Sequence, residues 1–271
     1  MYASLHGRAW VMSAAAFSCA LVVPSPRTRV VSSRRGFGAP KARRSVVMAS
    51  ASADTSEADK NSLPALAVFD LDACLWNQEM FQLYHVVDRE KPVMGLLTPD
   101  GDVGVTGARS GNEVISLHPG ALHALQRFHA GEYPGMRCAA ASSADTPLAV
   151  KIGRSALDLL EVVPGVTVRE VLATGFPPDF QGNLQIGRTP PLSSNKSQTH
   201  FPFLKNETQV PFDKMMFFDD CNWGDHCAAV SNGCREQTSN LGPVTVRTPK
   251  GLQIKDWEQG LEMYKERKLI H

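Results

Sequence analysis

The sequence predicts an α/β fold with a mostly parallel sheet, and three observations predict it. Short apolar runs recur along the chain, two of them end in paired acids, and helix-patterned segments separate them. Buried parallel strands read as uninterrupted apolar runs because helices cover both faces of their sheet. The acidic ends matter too, since α/β sheets gather their active sites at the carboxyl ends of the strands.

Charge sets the front of the chain apart. Residues 1–53 carry eight Arg and Lys and no Asp or Glu, whereas residues 54–271 carry 20 basic against 27 acidic residues, a formal net of −7. The front is rich in Ala, Ser, Val and Arg, the composition of an organelle transit segment. Within it, Val11 to Val23 (VMSAAAFSCALVV) resembles a signal-peptide core, so a combined signal-plus-transit leader is a second form of the same expectation. Removal near Ala49 to Ala53 and a plastid destination, in preference to a mitochondrion, are expected. Residues 54–63 (DTSEADKNSL) read as a flexible linker and residues 64–271 as one domain. An acidic body argues against general nucleic-acid binding, which needs clustered Arg and Lys. No apolar run reaches the length of about 18 residues that a membrane span needs, so no membrane association is expected of the mature form. A monomer is the default expectation. Of the six Cys, none forms a CxxC pair, and Cys221, His226, Cys227 and Cys234 match no zinc-module spacing.

The elements of the domain follow in order. Ala65 to Phe69 (ALAVF), after Pro64, is the first expected strand. Trp76 to His118 breaks the pattern, with turn signals at Pro99–Gly101 and Arg109–Asn112, so residues 77–118 are expected to form a flap or small cap. Pro119 to Ala130 and Pro147 to Leu160 read as helices that open on a proline tolerated in a first turn. Between them Arg137 to Ala141 is the second strand. His200 to Glu207 is a short helix, Met215 to Phe218 (MMFF) the third strand and Val244 to Val246 the fourth. Asp256 to Lys268 is a terminal helix that begins acidic and ends basic, as the helix dipole prefers.

The chemistry concentrates at the strand ends. In FDLDACLW, Asp70 and Asp72 follow the first strand, and side chains two apart on extended backbone share a face. Two nearby carboxyls push their pKa values apart, so one can attack phosphorus while the other, kept protonated, donates to a leaving group. FFDDCNWGD repeats the pattern at Asp219 and Asp220, with Asp225 following. Carboxylates gathered at one edge call for a hard cation, and Mg2+ suits oxygen ligands and a phosphate substrate. Asp70 and Asp219 are the expected direct ligands, with the backbone carbonyl of Asp72. Asp220 or Asp225 would supply a further ligand or orient a bound water, and either could instead cap the following helix. Ser142, ending CAAAS, can donate to a phosphoryl oxygen. Lys196, in SSNKSQTHF, can pair with Asp70 and stabilise the transferring group.

Taken together these words resemble the haloacid-dehalogenase-like hydrolases, and within them the magnesium-dependent phosphatase-1 family, over about Ala65 to Leu261. The Asp-x-Asp motif followed by Leu75 and Trp76, the strand ending in Ser142, Lys196 followed by Thr199, His200 and Phe201, and Phe217 to Asp220 fall in the family's order. The resemblance implies a three-layer α/β/α Rossmann-like fold with a minimal β-rich cap, and a Mg2+-dependent phosphomonoester hydrolase. It gives Asp70 as nucleophile, Asp72 as general acid/base, Ser142 and Lys196 as supports of the phosphoryl group, and Mg2+ as cofactor. An open site implies phosphotyrosine-like groups or small sugar phosphates as substrates, with Trp76, Phe81 and Tyr84 either contacting a substrate ring or packing the flap on the core. His85, His118 and His200 lie near motifs and are expected in surface or structural roles. Two departures stand out. Cys74 replaces the family's usual Thr, a poorer hydrogen-bond partner. The segment Cys221 to His226 differs from the charged family segment and is about one residue longer. These departures sustain the alternative of a phosphatase-like chain without turnover, acting as a binding or regulatory module.

Overall fold

The structure, a computed structural model, describes residues 62–270. The expected leader, its cleavage point and nearly all of the linker lie outside the described residues. The first strand, β1 (Leu66–Phe69), is buried on both faces. It is followed by a π-type turn over Leu71–Leu75 and a short 3-10 turn at Met80–Gln82. An antiparallel unit comes next: β2 (Val93–Leu96), β3 (Val103–Ser110) and β4 (Glu113–Ile115), in the order β2-β3-β4. The chain continues through α1 (Pro119–His129), β5 (Arg137–Ser142) and α2 (Pro147–Leu157). A two-stranded hairpin of β6 (Glu161–Val163) and β7 (Val166–Thr167) leads into α3 (Val168–Ala173), which opens on a capping box between Thr167 and Glu170. Then come β8 (Leu184–Ile186), α4 (His200–Thr208), β9 (Met215–Asp219), α5 (His226–Gly233), β10 (Val244–Arg247) and α6 (Ile254–Ile270).

The central sheet has the order β10-β9-β1-β5-β8, and every pairing in it is parallel. Side-chain alternation splits it into two apolar faces. Ala67, Phe69, Cys138, Ala140, Met216 and Phe218 pack with Leu125, Ile152, Leu172 and Trp257, from α1, α2, α3 and α6. Leu66, Val68, Ala139, Ala141, Met215 and Phe217 face Phe201 and Leu204 of α4, and Cys227 and Val230 of α5. The result is the three-layer α/β/α arrangement that the apolar runs imply, with a small antiparallel sheet attached. An aromatic stack of Phe69, Phe218 and Trp257, with ring centroids 5.4 to 6.0 Å apart, fixes the terminal helix beneath the two central strands.

The small sheet packs beside the core's helical layer. Gln126 of α1 donates to the carbonyls of Leu97 (2.9 Å) and Val162 (3.0 Å), and the Val105 N–H donates to Glu161 (3.0 Å). The elements expected from sequence all occur within a few residues of their expected ends. The chain also contains β6, β7, α3 and β8, which the apolar runs do not announce, because these elements span only two to six residues each. Among the described residues no helix is long and apolar enough to cross a membrane.

Packing is tightest where α1 meets the segment before α6. The Gly120 N–H donates to the Leu252 carbonyl at 3.0 Å, and a Cβ on Gly120 would stand 2.2 Å from the Gln253 carbonyl carbon. No rotamer relieves a clash with backbone. Gly120→Ala should therefore destabilise the fold by about 2 kcal/mol or more, measured as a lower urea midpoint with an unchanged m-value.

Candidate active site

Register brings the acids together. Phe69 pairs with Phe218 on one side and with Ala140 on the other, so Asp70 leaves the sheet beside Asp219 and close to the end of β5 at Ser142. The Asp70 N–H donates to the Phe218 carbonyl at 2.9 Å, extending the ladder to the edge of the site. β1 is also where the strand order reverses, with β9 on one side and β5 on the other. The site thus lies in the crevice at a topological switch point.

Beyond Asp70 the backbone turns at once. Asp72 remains extended, and Ala73 takes a left-handed φ of 51°. The Trp76 N–H then closes the turn on the Leu71 carbonyl (3.2 Å). Trp76 is buried, and its indole N–H donates to Asp72 Oδ1 at 3.2 Å, so it orients the acid and does not face a substrate. Burial pushes the Asp72 carboxyl up to about 7, against the hydrogen bonds from the Met80 backbone and Trp76 that favour its ionised form. Cys74 keeps a partner despite departing from threonine, because the Thr248 hydroxyl donates to its Sγ at 3.3 Å. The Thr248 N–H in turn donates to the Asp219 carbonyl at 2.8 Å, which ties the turn after β1 to the ends of β9 and β10.

Lys196 is the electrostatic centre. Its ammonium is 2 % exposed and lies 2.7 Å from Asp70 Oδ1 and 2.6 Å from Asp219 Oδ2. Burial alone would lower its pKa, but these two carboxylates outweigh burial and hold it charged. Burial likewise works to raise Asp219, yet Lys196 and His226 hold that carboxyl well below its ordinary value. Burial raises Asp70 in spite of Lys196. Carboxylate oxygens of Asp70, Asp219 and Asp220 lie within 4.8 Å of one another, and all three residues are buried. Three carboxylates facing one ammonium leave a formal excess of negative charge that a divalent cation would meet. Their hard oxygen donors fit such an ion.

The structure brings Asp70, Asp72, Ser142, Lys196, Asp219 and Asp220 onto one cavity of about 330 Å3. Asp225 does not join them. Its Oδ1 accepts the Ala228 N–H (3.0 Å) as the N-cap of α5, and its other oxygen is bonded to Arg247, so Asp220 completes the carboxylate cluster in its place. Tyr84 stands outside the cavity lining and is exposed, whereas Phe81 lines it. His200 is structural. Its Nε2–H points at the carbonyls of Ser142 (3.1 Å) and Gly187 (3.0 Å), and burial lowers its pKa to about 4, so the ring stays neutral and pins both segments of the wall.

Glu79, Asp145, Arg188, Trp223 and His226 also line the cavity and are not apparent from the motifs. His226 Nδ1 lies 3.2 Å from Asp219 Oδ2, and Arg188 pairs with Asp145 at 3.1 Å. These are contacts between segments far apart in the chain or around an unfamiliar loop. Only the proximity of Trp223 and His226 to Asp219 in sequence offered a signal.

The sequence pattern of a family described as Acid Phosphatase matches residues 62–267, nearly the whole described domain. The chain belongs to this acid phosphatase family. Membership makes it a phosphatase of the haloacid-dehalogenase-like kind, and the buried aspartate cluster is compatible with the divalent metal that such phosphatases typically need. No curated protein matches the chain. Among solved structures, hypothetical protein XCC2798 from Xanthomonas campestris aligns over 79% of this chain and 91% of its own, at 15% identity and a TM-score of 0.34, a likeness too loose to bear on function.

Proposed function

We propose that the chain is a Mg2+-dependent phosphomonoester hydrolase of the magnesium-dependent phosphatase-1 type, acting through an aspartyl-phosphate on Asp70. The observation that carries this reading is the shared ammonium of Lys196, 2.7 Å from Asp70 and 2.6 Å from Asp219, at the edge of a three-carboxylate cluster. With Oδ1 of Asp70 bonded to Lys196, its other oxygen attacks phosphorus in line, and the bond from phosphorus to the leaving oxygen breaks. Asp72 gives its proton to that oxygen, a role favoured by its raised pKa near 7. The Asp72 carboxylate then takes a proton from water, whose oxygen attacks phosphorus and releases Asp70 and inorganic phosphate. Lys196 and Ser142 hold the phosphoryl oxygens while charge shifts. A Mg2+ ion held by Asp70, Asp219 and Asp220, with the Asp72 backbone carbonyl, would supply the remaining positive charge. The substrate range expected is phosphotyrosine-like groups or small sugar phosphates.

The test is hydrolysis of p-nitrophenyl phosphate by the purified chain with Mg2+ or with EDTA. Release of phosphate that needs the metal is expected. Equal rates in EDTA would remove the cation from the reading, and no release from folded protein under either condition would remove the activity.

A further inference from the structure

One wall of the cavity is built from Trp223, Glu79 and Phe81, side chains to which the proposed chemistry gives no role. Trp223 sits in the loop between β9 and α5, bracketed by left-handed residues at Cys221 (φ 57°) and Gly224 (φ 148°). The loop carries the indole across the mouth to the segment after β1. There the Trp223 Nε1–H donates to Glu79 Oε1 at 2.9 Å, and its ring meets Phe81 edge-on with centroids 5.8 Å apart. Both aromatics and Glu79 line the cavity that contains Asp70, Asp72 and Lys196. Yet Trp223 is 72 % exposed and Phe81 41 % exposed, so most of the indole surface remains uncovered.

A large aromatic side chain gains most of its stabilisation from burial, and Trp223 gains little of it here. What it does have is orientation, because its polar end is tied and its ring is braced. A braced, uncovered ring on a pocket wall is a stacking surface that costs a ligand little ordering entropy on binding. The position also fits the chemistry. Asp72, the proposed donor to the leaving oxygen, accepts a hydrogen bond from the backbone of Met80, which stands between Glu79 and Phe81, so the leaving group is the part of the substrate that reaches this wall.

We propose that Trp223, held by Glu79 and Phe81, is a specificity-determining residue for the leaving group, favouring phosphomonoesters whose alcohol presents a flat apolar face over those of small alkyl alcohols. This rests on the phosphomonoesterase reading and goes beyond it by naming the residue and the property it selects. The Arg188–Asp145 pair adds a polar stretch to the same lining, so the apolar surface offered to a leaving group is that of Trp223 and Phe81.

The experiment compares phenylphosphonate with methylphosphonate, which share an anionic head and differ in the face they offer. Their dissociation constants are measured by calorimetry on the full chain with Mg2+, for wild type, Trp223→Ala, Trp223→Phe and Glu79→Ala. Wild type should bind the phenyl compound about 3- to 10-fold more tightly, the range expected of one aromatic contact. Trp223→Ala should bring the ratio near one, Trp223→Phe should keep most of it, and Glu79→Ala, which frees the indole, should fall between. A ratio unchanged in Trp223→Ala, or an equal loss of affinity for both ligands, would overturn the proposal. If Trp223→Ala does not fold, an unchanged ratio in Glu79→Ala would overturn it. Hydrolysis of p-nitrophenyl phosphate by wild type separates the two levels. No hydrolysis overturns the underlying activity, whereas hydrolysis with an indifferent ratio overturns only the role of Trp223.

Discussion

Asp70→Asn should abolish phosphomonoester turnover, by at least about three orders of magnitude, while leaving the fold intact. Asparagine keeps the shape of the side chain and removes its nucleophilic oxygen, so the first covalent step has no acceptor for phosphorus. The stability outcome separates this loss from unfolding. Asp70 is one of three clustered buried carboxylates, two of which share the Lys196 ammonium, and the replacement removes one negative charge from an over-charged cluster. In EDTA the variant should melt at or above the wild-type temperature, because like charges held in a low-dielectric site repel. Added Mg2+ should raise its melting temperature less than it raises that of wild type, because one ligand is gone. The decisive measurements are phosphate release and thermal melts with and without the metal, on pure folded protein. Retained turnover would exclude Asp70 as the nucleophile. Lost turnover with a large fall in melting temperature would mean that Asp70 holds the fold together.

The part of this site legible in the sequence is the part built on strands. β1 and β9 are uninterrupted apolar runs, and a strand that ends in acids states both where the sheet stops and where its chemistry begins. Adjacency of Asp70 and Asp219 then follows once both strands are central. The loops carry no such rule. Asp225 has the same side chain as Asp220, but it stands one residue before α5, and capping Ala228 engages it there. Trp223 and Glu79 are 144 residues apart and meet because two left-handed residues aim the loop, which no periodicity encodes. Trp76 shows the converse limit. Its aromatic character left a substrate contact and core packing both open, and the π-type turn decides for burial, with its N–H pointed back at Asp72, four residues earlier. The short strand β8 was hidden because Leu184–Ile186 lies inside the Pro- and Gly-rich stretch 175–191, which reads as loop, and its identity comes from pairing with β5.

The replacement expected to disturb stability most is Lys196→Met. Methionine fills nearly the same volume and offers neither charge nor N–H. The ammonium it removes is bonded to two carboxylates that are themselves buried, at 8 % and 1 % side-chain exposure. Breaking one side of a buried ion pair strands the partner charge, which typically costs about 3–5 kcal/mol. Here two partners are stranded at once, so the metal-free variant should fall at the upper end of that range by chemical denaturation. Turnover should fall by about two to three orders of magnitude, as when one preorganised donor to a transition-state oxygen is removed. Added Mg2+ should recover more melting temperature in Lys196→Met than in wild type, because it would be the only counter-charge left to the cluster. The double variant Asp70→Asn/Lys196→Met decides whether this account of the cost is right. If stranded carboxylates cause the loss, neutralising one of them must restore part of it, and Asp70→Asn will stabilise the Lys196→Met background by more than it stabilises wild type, a non-additivity expected of groups in direct contact. If the two effects simply add, the lysine stabilises the fold through its packing over the Phe217 ring, 5.5 Å from the ammonium, and not through the charges it holds apart.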